Sequence, residues 1–262
     1  FDRKTGDYRG PYQTGPADTW DFDATMDIQL AEIPVGGKVR KVVMQAPKNG
    51  FLYVLDRKTG ELLSAEPIVK VTWASHVDLK TGRPVEDPQA RFTVTGKQAV
   101  IQPTPLAAHN WMPMAWDQAR GEVFIPTVHW EAGMGDVAGP WQPVRDRSTD
   151  GAVSFAGGPF AGMGAPTGSL LAWSPAQGRA LWRVPYPTYL NGGVLATAGG
   201  LVFQGTIDGR FRAFAAESGR EVWNYDTRAP LIAPPISHAA GGGEYATAPA
   251  GAGVGVLLEA RP

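Results

Sequence analysis

Apolar and polar residues alternate along short stretches of this chain, and turn-forming residues separate the stretches. Lys41 to Ala46 has a β-branched centre and predicts a strand, and Phe51 to Leu55 predicts a second, apolar strand. Between them, Pro47-Lys48-Asn49-Gly50 is typical of a turn, because proline presets φ and Asn-Gly tolerates positive φ. Asp56 to Gly60 predicts the next turn, and Glu61 starts a third strand. A meander of this kind is typical of one blade of a β-propeller.

The turn at Asp56 recurs along the chain and indicates an internal repeat. Two copies carry a tryptophan four residues after the glycine, and these residues, Trp182 and Trp223, are 41 positions apart. That spacing falls within the roughly 40–45 residues of a four-stranded blade, in which the glycine permits the hairpin and the tryptophan packs on the neighbouring blade. The six copies are Asp2–Gly6, Asp56–Gly60, Asp78–Gly82, Asp117–Gly121, Ser174–Gly178 and Ala215–Gly219. The sequence therefore predicts an all-β propeller, and its length corresponds to about five to six blades.

Further strands and irregular stretches complete this prediction. Strands are expected at Ser169–Trp173 and Arg210–Phe214, directly before two of the turns, with weaker strands at Tyr245–Thr247 and Val254–Leu258. Residues 1–33 predict one repeat turn followed by a polar loop. Residues 128–168 are rich in glycine and proline without clear periodicity, and a loop of this length in a compact domain is usually functional or disordered.

Composition narrows the function more than the fold. The 262 residues are 43% hydrophobic, which suffices for a large core, and 33 glycines and 23 prolines favour turns over long helices. A net charge of -1 gives no ground for a nucleic-acid partner, and no apolar run is long enough to cross a membrane as a helix. The absence of cysteine excludes disulfides, thiolate metal sites and haem attachment through Cys-x-x-Cys-His. Because the first residue is Phe1 rather than methionine, we expect residues 1–262 to be one propeller domain that is incomplete at both ends.

Seven motifs, in order along nearly the whole chain, resemble the pyrroloquinoline quinone (PQQ)-dependent alcohol dehydrogenases, especially their quinohaemoprotein branch. The motifs are Tyr12-Gln13-Thr14, Asp18-Thr19-Trp20-Asp21, Arg40 to Phe51, Val71-Thr72-Trp73-Ala74-Ser75, His109 to Met114, Asn191 to Gly205 and Ala233-Pro234-Pro235-Ile236. The resemblance implies an eight-bladed propeller that holds PQQ and a calcium ion near its axis, and a periplasmic location. It implies oxidation of small primary alcohols to aldehydes, with an electron acceptor such as a cytochrome c or a haem domain. A haem c domain is an expectation for a full-length protein, although no attachment motif follows here.

The resemblance also implies roles for particular residues. Asp21 matches the catalytic base, which takes the alcohol proton and is a calcium ligand. Lys48 matches the residue that bonds the quinone oxygens and would stabilise developing negative charge. Asn110 and Trp111 match residues of the cofactor pocket. The glycines Gly192 and Gly193 match positions where the backbone approaches the cofactor.

Each assignment has a plainer alternative from the residues themselves. Asp21 is also compatible with a turn carboxylate, and Asp18 and Asp23 are rivals for the base. Lys48 is compatible with a solvated turn lysine. Asn110-Trp111 is compatible with a blade edge, and Gly192-Gly193 with a hairpin turn. The four histidines, which show no metal-ligand spacing, are interpreted as structural or surface residues: His76, His109, His129 and His238.

Several family features have no counterpart in this sequence. The other protein ligands of calcium, a glutamate and an asparagine, and a vicinal cysteine pair would lie upstream of the Asp-x-Trp-Asp motif. The tryptophan that stacks on the second face of PQQ has no clear match. The chain therefore supplies one calcium ligand at most, and a second hypothesis is a non-catalytic PQQ-repeat propeller that acts as a binding or assembly scaffold. A sugar-oxidising quinoprotein is a weaker third hypothesis, and no oligomeric state is predicted.

Overall fold

The computed structural model describes residues 4–8, 10–135 and 164–251, and the backbone of residues 254–260. Antiparallel sheet dominates this part of the chain, which confirms the all-β prediction. Helical structure there consists of a 3-10 turn at Pro88–Ala90 and one short helix, α1 (Phe92–Thr95), which ends at the left-handed Gly96. Among the described residues, no helix has the length and apolarity that a membrane crossing requires.

The first blade is the predicted meander with one additional strand. Its four strands pair in sequence order as β1 (Gln29–Val35), β2 (Lys38–Gln45), β3 (Phe51–Asp56) and β4 (Leu62–Pro67). The prediction of a polar loop up to Ile33 was therefore wrong in its last part. Strand β1 alternates in burial, with Ala31 and Ile33 facing the core, but the outward-facing Leu30 breaks the pattern of apolar and polar residues.

Two further four-stranded blades follow. The second contains β8 (Ala115–Asp117), β9 (Glu122–His129), β11 (Thr167–Ser174) and β12 (Arg179–Tyr186) in the spatial order β8-β9-β11-β12. The third contains β13 (Val194–Ala196), β14 (Leu201–Gly205), β15 (Arg210–Ala215) and β16 (Glu221–Asp226). Both strands predicted before the repeat turns are confirmed, as parts of β11 and β15. The region predicted as irregular from residue 128 to 168 begins and ends in strands, and its residues 136–163 lie outside the described residues.

The remaining strands form smaller sheets. A three-stranded sheet contains β17 (Ile236–Ala240), β18 (Gly243–Ala250) and β19 (Val254–Ala260), which confirms both weak strands near the end. Two-stranded ribbons pair β5 (Ala74–Asp78) with β6 (Arg83–Glu86), and β7 (Ala99–Ile101) with β10 (Ala132–Met134). The described residues thus contain four sheets of blade type rather than five to six. Length alone gave a higher number because β5, β6, β7 and their loops lie between the first and second blades, and β10 lies between β9 and β11 of the second blade.

The blades are arranged around a hub formed by their first strands. Strand β1 contacts β8, and β8 contacts β13, so we call these three the hub strands. Apolar clusters fill the spaces between successive blades, as in other repeat architectures. The ring of Trp182 lies on Gly219 of the next blade, and its Nε1 donates to the carbonyl of Ala216 at 2.7 Å. This confirms for Trp182 that the repeated tryptophan packs between blades.

The recurring turns have the geometry that their residues predict. The Asp56 carboxylate accepts hydrogen bonds from the backbone N–H groups of Lys58 and Thr59 at 2.8 and 3.0 Å. Gly60 takes the left-handed conformation with φ of 77°. The carboxylates of Asp78 and Asp117 accept the equivalent pairs of bonds. The Asp56 turn connects β3 to β4, the third and fourth strands of the first blade, whereas the Asp78 turn joins β5 to β6 and the Asp117 turn joins β8 to β9.

Candidate functional site

The loops that precede the hub strands meet at one end of the propeller. The backbone N–H of Met114, before β8, donates to the carboxylate of Asp27, before β1, at 3.2 Å. The N–H of Val194, at the start of β13, donates to the carbonyl of Pro113 at 3.0 Å. A Cβ atom added to Gly193 would lie 2.6 Å from Pro113 and 2.9 Å from Pro234, before β17. We call this end of the molecule the hub end, and the sequence-predicted site residues all lie in its loops.

Asp21 and Lys48 are in direct contact at the hub end. The Lys48 Nζ lies 3.0 Å from Asp21 Oδ2 and 2.7 Å from Asp23 Oδ2. The lysine side chain is 10% exposed, whereas Asp21 and Asp23 are 38% and 48% exposed. Burial opposes the charge of Lys48, but hydrogen bonds to Asp23 and Asp21 outweigh it and raise the pKa of the ammonium. The Lys48 amine is therefore held in its charged form, and its partners Asp21 and Asp23 remain accessible to solvent.

The backbone at Asp21 is unusual. Its φ is 61°, a left-handed conformation that costs a non-glycine residue on the order of 1–3 kcal/mol. The neighbouring Asp18 explains how the conformation is held, because its carboxylate accepts the N–H groups of Trp20 and Phe22 at 2.9 and 2.7 Å. Asp18 is thereby a turn residue, which removes one of the two rivals for the base. Asp23 remains a rival, since it contacts the same ammonium as Asp21.

A cluster of aromatic side chains packs next to the turn that carries Lys48. Trp20, Phe22 and Trp73 contact one another with ring centroids 5.0–5.6 Å apart, and Phe51 meets Trp73 edge-on. The indole N–H of Trp73 donates to the carbonyl of Asn49 at 2.8 Å. Three of the motifs that carry the family resemblance therefore form one buried cluster. This cluster fixes the turn on which Lys48 is carried.

Asn110 and Trp111 lie on the segment next to Lys48. The backbone N–H of Ala108 donates to the carbonyl of Lys48 at 3.0 Å, which joins the two segments. The Asn110 side chain bonds within its own loop, accepting from the N–H of Trp111 at 2.9 Å and donating to Leu106 at 3.4 Å. The Trp111 side chain is 55% exposed, which is unusual for so large an apolar group. The structure thus brings Asp21 and Lys48 into contact and places Asn110 on the adjoining segment.

Gly192 and Gly193 fit between closely packed backbones. The N–H of Gly192 donates to the carbonyl of Gly205 at 2.8 Å, and a Cβ atom there would lie 3.1 Å from the carbonyls of Gly205 and Leu231. Gly193 lies between two proline rings, as described above. A packing reason therefore accounts for both glycines. Their contact with a cofactor stays a prediction.

The sequence indicated only structural or surface roles for the histidines. The structure gives specific partners to two of them, His109 and His129. His109 is completely buried, and its Nδ1 and Nε2 lie 2.7 and 2.8 Å from the carbonyls of Ala46 and Met112. His129 Nε2 lies 2.9 Å from Ser169 Oγ and 3.0 Å from the guanidinium of Arg183. Burial and then the Arg183 charge lower the pKa of His129 to about 4. Only the long-range pairing of strands creates these environments, so no local sequence signal could have found them.

The residues present fit a flat anionic quinone better than a metal ion. Within the described ranges, no group of three or more histidine and acidic side chains could hold a metal. The ammonium of Lys48 is bonded to both nearby carboxylates, so these residues do not form a calcium site by themselves. Asp21 as one calcium ligand stays a prediction. The buried ammonium of Lys48, together with the exposed indole of Trp111 on the adjoining segment, provides groups that an anionic aromatic ligand can contact.

Comparisons with known proteins agree with this architecture. A family described as "Glucose/ethanol/alcohol dehydrogenase, beta-propeller domain" matches residues 1–76, and one described as "Outer membrane protein assembly factor BamB" matches residues 166–256. The quinohemoprotein alcohol dehydrogenase ADH IIB of Pseudomonas putida is 43% identical over 254 residues, which cover 95% of this chain and 36% of that protein. The 1-butanol dehydrogenase (cytochrome c) of Thauera butanivorans is 36% identical, with 95% of this chain and 36% of that protein covered. The solved structure of quinohemoprotein alcohol dehydrogenase ADHIIG from Pseudomonas putida HK5 superposes with a TM-score of 0.83 at 39% identity, covering 96% of this chain and 38% of that one.

Fold, site and similarity together define a propeller of the quinoprotein class. The chain belongs to the PQQ-dependent alcohol dehydrogenase family and corresponds to part of its β-propeller domain. It spans 36% of the length of the curated relatives described above.

Proposed function

We propose that this chain forms part of the catalytic propeller of a quinoprotein that oxidises primary alcohols to aldehydes with PQQ. The observation that carries the proposal is the Asp21–Lys48 pair, with its atoms 3.0 Å apart at the hub end. An accessible carboxylate beside a buried ammonium provides a base and a fixed positive charge in one place. The names of the relatives support alcohol as the substrate class.

In this proposal, each residue has a separate task. PQQ, when bound, supplies a quinone that accepts two electrons as a hydride. Asp21 accepts the hydroxyl proton of the alcohol at a carboxylate oxygen, a step that contributes roughly 10²–10⁴-fold to such reactions. Lys48 holds a positive charge next to the reacting groups, and its burial keeps that charge from being screened by water. Trp111 presents an open aromatic surface on which a flat ring system can rest.

Asp21 is the preferred base over Asp23 for a structural reason. Both contact Lys48, but Asp21 is held in a left-handed backbone conformation by the Asp18 turn, and strain of this kind clusters at functional positions. The motif match with the family also assigns this role to Asp21. The position of a calcium ion is no part of the mechanism, because the described residues do not form its site.

The electron acceptor and the location belong to the same proposal. We propose a cytochrome c or a haem domain as the acceptor, which the relative named as 1-butanol dehydrogenase (cytochrome c) supports. A periplasmic location follows from the family resemblance alone.

Cofactor retention tests the proposal directly. The purified chain is incubated with PQQ, with and without calcium, and desalted, and the retained PQQ absorbance is measured before dye-linked oxidation of ethanol and 1-butanol. We expect PQQ retention by the natural chain and little retention by Lys48→Met. The matched control is Lys41→Met, an exposed lysine of β2 that pairs with Glu32 at 3.4 Å, which should retain PQQ fully. Equal retention by both variants, or none by the natural chain, would count against the proposal.

A second candidate function is a non-catalytic scaffold. It is favoured by the match of residues 166–256 to the BamB description and by the two carboxylates that already pair with the Lys48 ammonium. On this alternative the chain folds, as shown by a cooperative thermal transition, but retains no PQQ under any condition. Glucose, included as a further substrate in the assay, separates the sugar-oxidising hypothesis from alcohol oxidation.

A further inference from the structure

His109 connects the two segments that carry the candidate cofactor residues. Its Nδ1 lies 2.7 Å from the carbonyl of Ala46, two residues before Lys48, although the two positions are 63 residues apart in sequence. Its Nε2 lies 2.8 Å from the carbonyl of Met112, directly after Trp111. The histidine, Ala46 and Met112 are all completely buried. One imidazole therefore contacts the backbone on both sides of the proposed site.

The contact with Ala46 is one half of a two-point attachment. The N–H of Ala108 donates to the carbonyl of Lys48 at 3.0 Å, and the N–H of Val128 donates to the carbonyl of Ala108 at 2.8 Å. The segment from Ala108 to Met112 is thus held between the Lys48 turn and β9. Loss of the histidine bond would leave one direct backbone bond, that of Ala108, among those described between this segment and the Lys48 turn.

A neutral imidazole carries one N–H group and can donate to only one of the two carbonyls. Burial lowers the pKa of His109, while the two carbonyls and the charge of Asp27 oppose that effect, so we expect the neutral form at neutral pH. A bond to Met112 would only close a local turn within one segment. A bond to Ala46 would join two segments and would therefore set their separation.

We propose that His109 is a positioning residue, which donates from Nδ1 to Ala46 and thereby fixes the separation of Lys48 and Trp111 that PQQ requires. The inference rests on the proposed function and extends it to a residue that touches neither substrate nor cofactor. Loss of the buried hydrogen bond between His109 and Ala46 would destabilise the arrangement of segments that binds PQQ. We expect the affinity for PQQ to fall about tenfold as a result.

Two amide variants separate this role from simple core packing. In His109→Asn, the side-chain amide reaches about as far as Nδ1 and can still donate to Ala46. In His109→Gln, the amide reaches about as far as Nε2 and can donate to Met112 instead. We expect His109→Asn to bind PQQ within about threefold of the natural chain in an equilibrium titration, and His109→Gln to bind it about tenfold more weakly. Equal affinities of the two variants would overturn the proposal.

Hydrogen exchange adds a measurement that needs no cofactor. The Ala108 amide, which bonds Lys48, should exchange faster in His109→Gln than in His109→Asn, and equal exchange rates would also overturn the proposal. If the natural chain binds no PQQ, the proposed function fails and the cofactor part of this inference fails with it. The exchange rates would then still show whether His109 holds the two segments together.

The tautomer of the natural chain provides a test that does not depend on variants of His109. The sequence contains four histidines, so ¹⁵N-labelled imidazole signals can be assigned by single substitutions at the other three. We expect the His109 proton on Nδ1. A proton on Nε2 alone would leave Ala46 without its donor and would rule out the proposed attachment.

Discussion

Asp56 and Asp21 show how the same side chain serves two regions of this propeller. At the outer turn, the Asp56 carboxylate is 7% exposed, accepts two backbone N–H groups and lies 2.7 Å from Nε of Arg40. The Arg40 hydrogen bond and then the backbone N–H of Lys58 lower the pKa of Asp56 to about 2. At the hub end, Asp21 is 38% exposed, and its described partner is the side chain of Lys48.

The two carboxylates differ in their ability to accept a proton from a ligand. Asp56 has its acceptor positions used by the turn and by Arg40, so it stabilises the fold but cannot readily take a proton from a ligand. Asp21 keeps accessible surface and lies beside a fixed positive charge. The first arrangement belongs to a turn that recurs along the chain, whereas the second forms where the segment before β1 meets the turn between β2 and β3. The predictions below test this contrast between turn and hub end, beginning with the largest expected effect.

Replacing Asp21 by asparagine should nearly abolish alcohol oxidation in the PQQ-loaded chain. Without the carboxylate the proton has no acceptor, and we expect a loss of roughly 10²–10⁴-fold in dye-linked turnover with PQQ retention largely unchanged. Asp23→Asn is the matched control, because Asp23 contacts the same ammonium at 2.7 Å. If Asp23→Asn is the inactive variant and Asp21→Asn is active, Asp23 is the base. Asp56→Asn should lower thermal stability while turnover per folded molecule stays the same.

Gly193→Ala should destabilise the hub end by about 1–3 kcal/mol, because the new methyl group would lie within 2.6–2.9 Å of the rigid rings of Pro113 and Pro234. The free energy of unfolding, measured in urea, checks this value. Gly199→Ala provides the comparison, since the nearest atom to its added Cβ is 3.9 Å away. A loss equal to that of the control would show that the loops at the hub end are loosely packed.

Trp182→Phe should cost about 1–2 kcal/mol of stability, because an aromatic side chain is kept but the N–H donor to Ala216 at 2.7 Å and part of the indole packing on Gly219 are lost. Trp116→Phe removes an indole bond to the exposed Gln118 and should change stability by less than about half as much. Urea unfolding of both variants gives the two values. Equal losses of unfolding free energy in Trp182→Phe and Trp116→Phe would show that the bond between blades stabilises the fold no more than the exposed bond.

The smallest expected effect is the pH dependence due to His129, whose pKa in the folded chain is about 4. An unfolded histidine has a pKa near 6.5, so below pH 6.5 the unfolded chain binds more protons and stability falls toward pH 4. Between pH 7 and 5 this shift corresponds to at most about 2 kcal/mol, and because His129 is only partly buried we expect the natural chain to lose roughly 1 kcal/mol more than His129→Gln. Parallel loss in both proteins would show that Arg183 and burial do not keep His129 neutral.

Local sequence was sufficient for the repeated parts of the fold. The alternation in β2 and β3 and the Asp-x-x-Thr-Gly turns are properties of a few adjacent residues, and the predicted positions of both strands and of the turns at Asp56 and Asp78 were confirmed. The start of the predicted turn Asp2–Gly6 lies outside the described residues. Strand β1 was missed because its outward face carries Leu30, which removed the contrast between its two faces. Length predicted more blades than the four sheets of blade type among the described residues, because length does not distinguish a blade strand from a ribbon such as β5–β6.

The candidate site was reached differently, since Asp21 and Lys48 were selected through family motifs and not through local patterns. Their contact at 3.0 Å agrees with that selection, although their chemical roles stay predictions. The elimination of Asp18 came from its hydrogen bonds to Trp20 and Phe22, which depend on the path of the backbone. Sequence reasoning could not have separated the three aspartates, because each is compatible with a turn.

By itself, the sequence determined that the chain forms antiparallel strands joined by tight turns, because side-chain period and the φ preferences of glycine and proline act over a few residues. Its motifs also determined the family. The tertiary structure alone decided which carboxylates share Lys48, which glycines lie between prolines, and that His109 joins the segments of Lys48 and Trp111. Those relations depend on the packing of blades around the hub, where residues distant in sequence come within bonding distance.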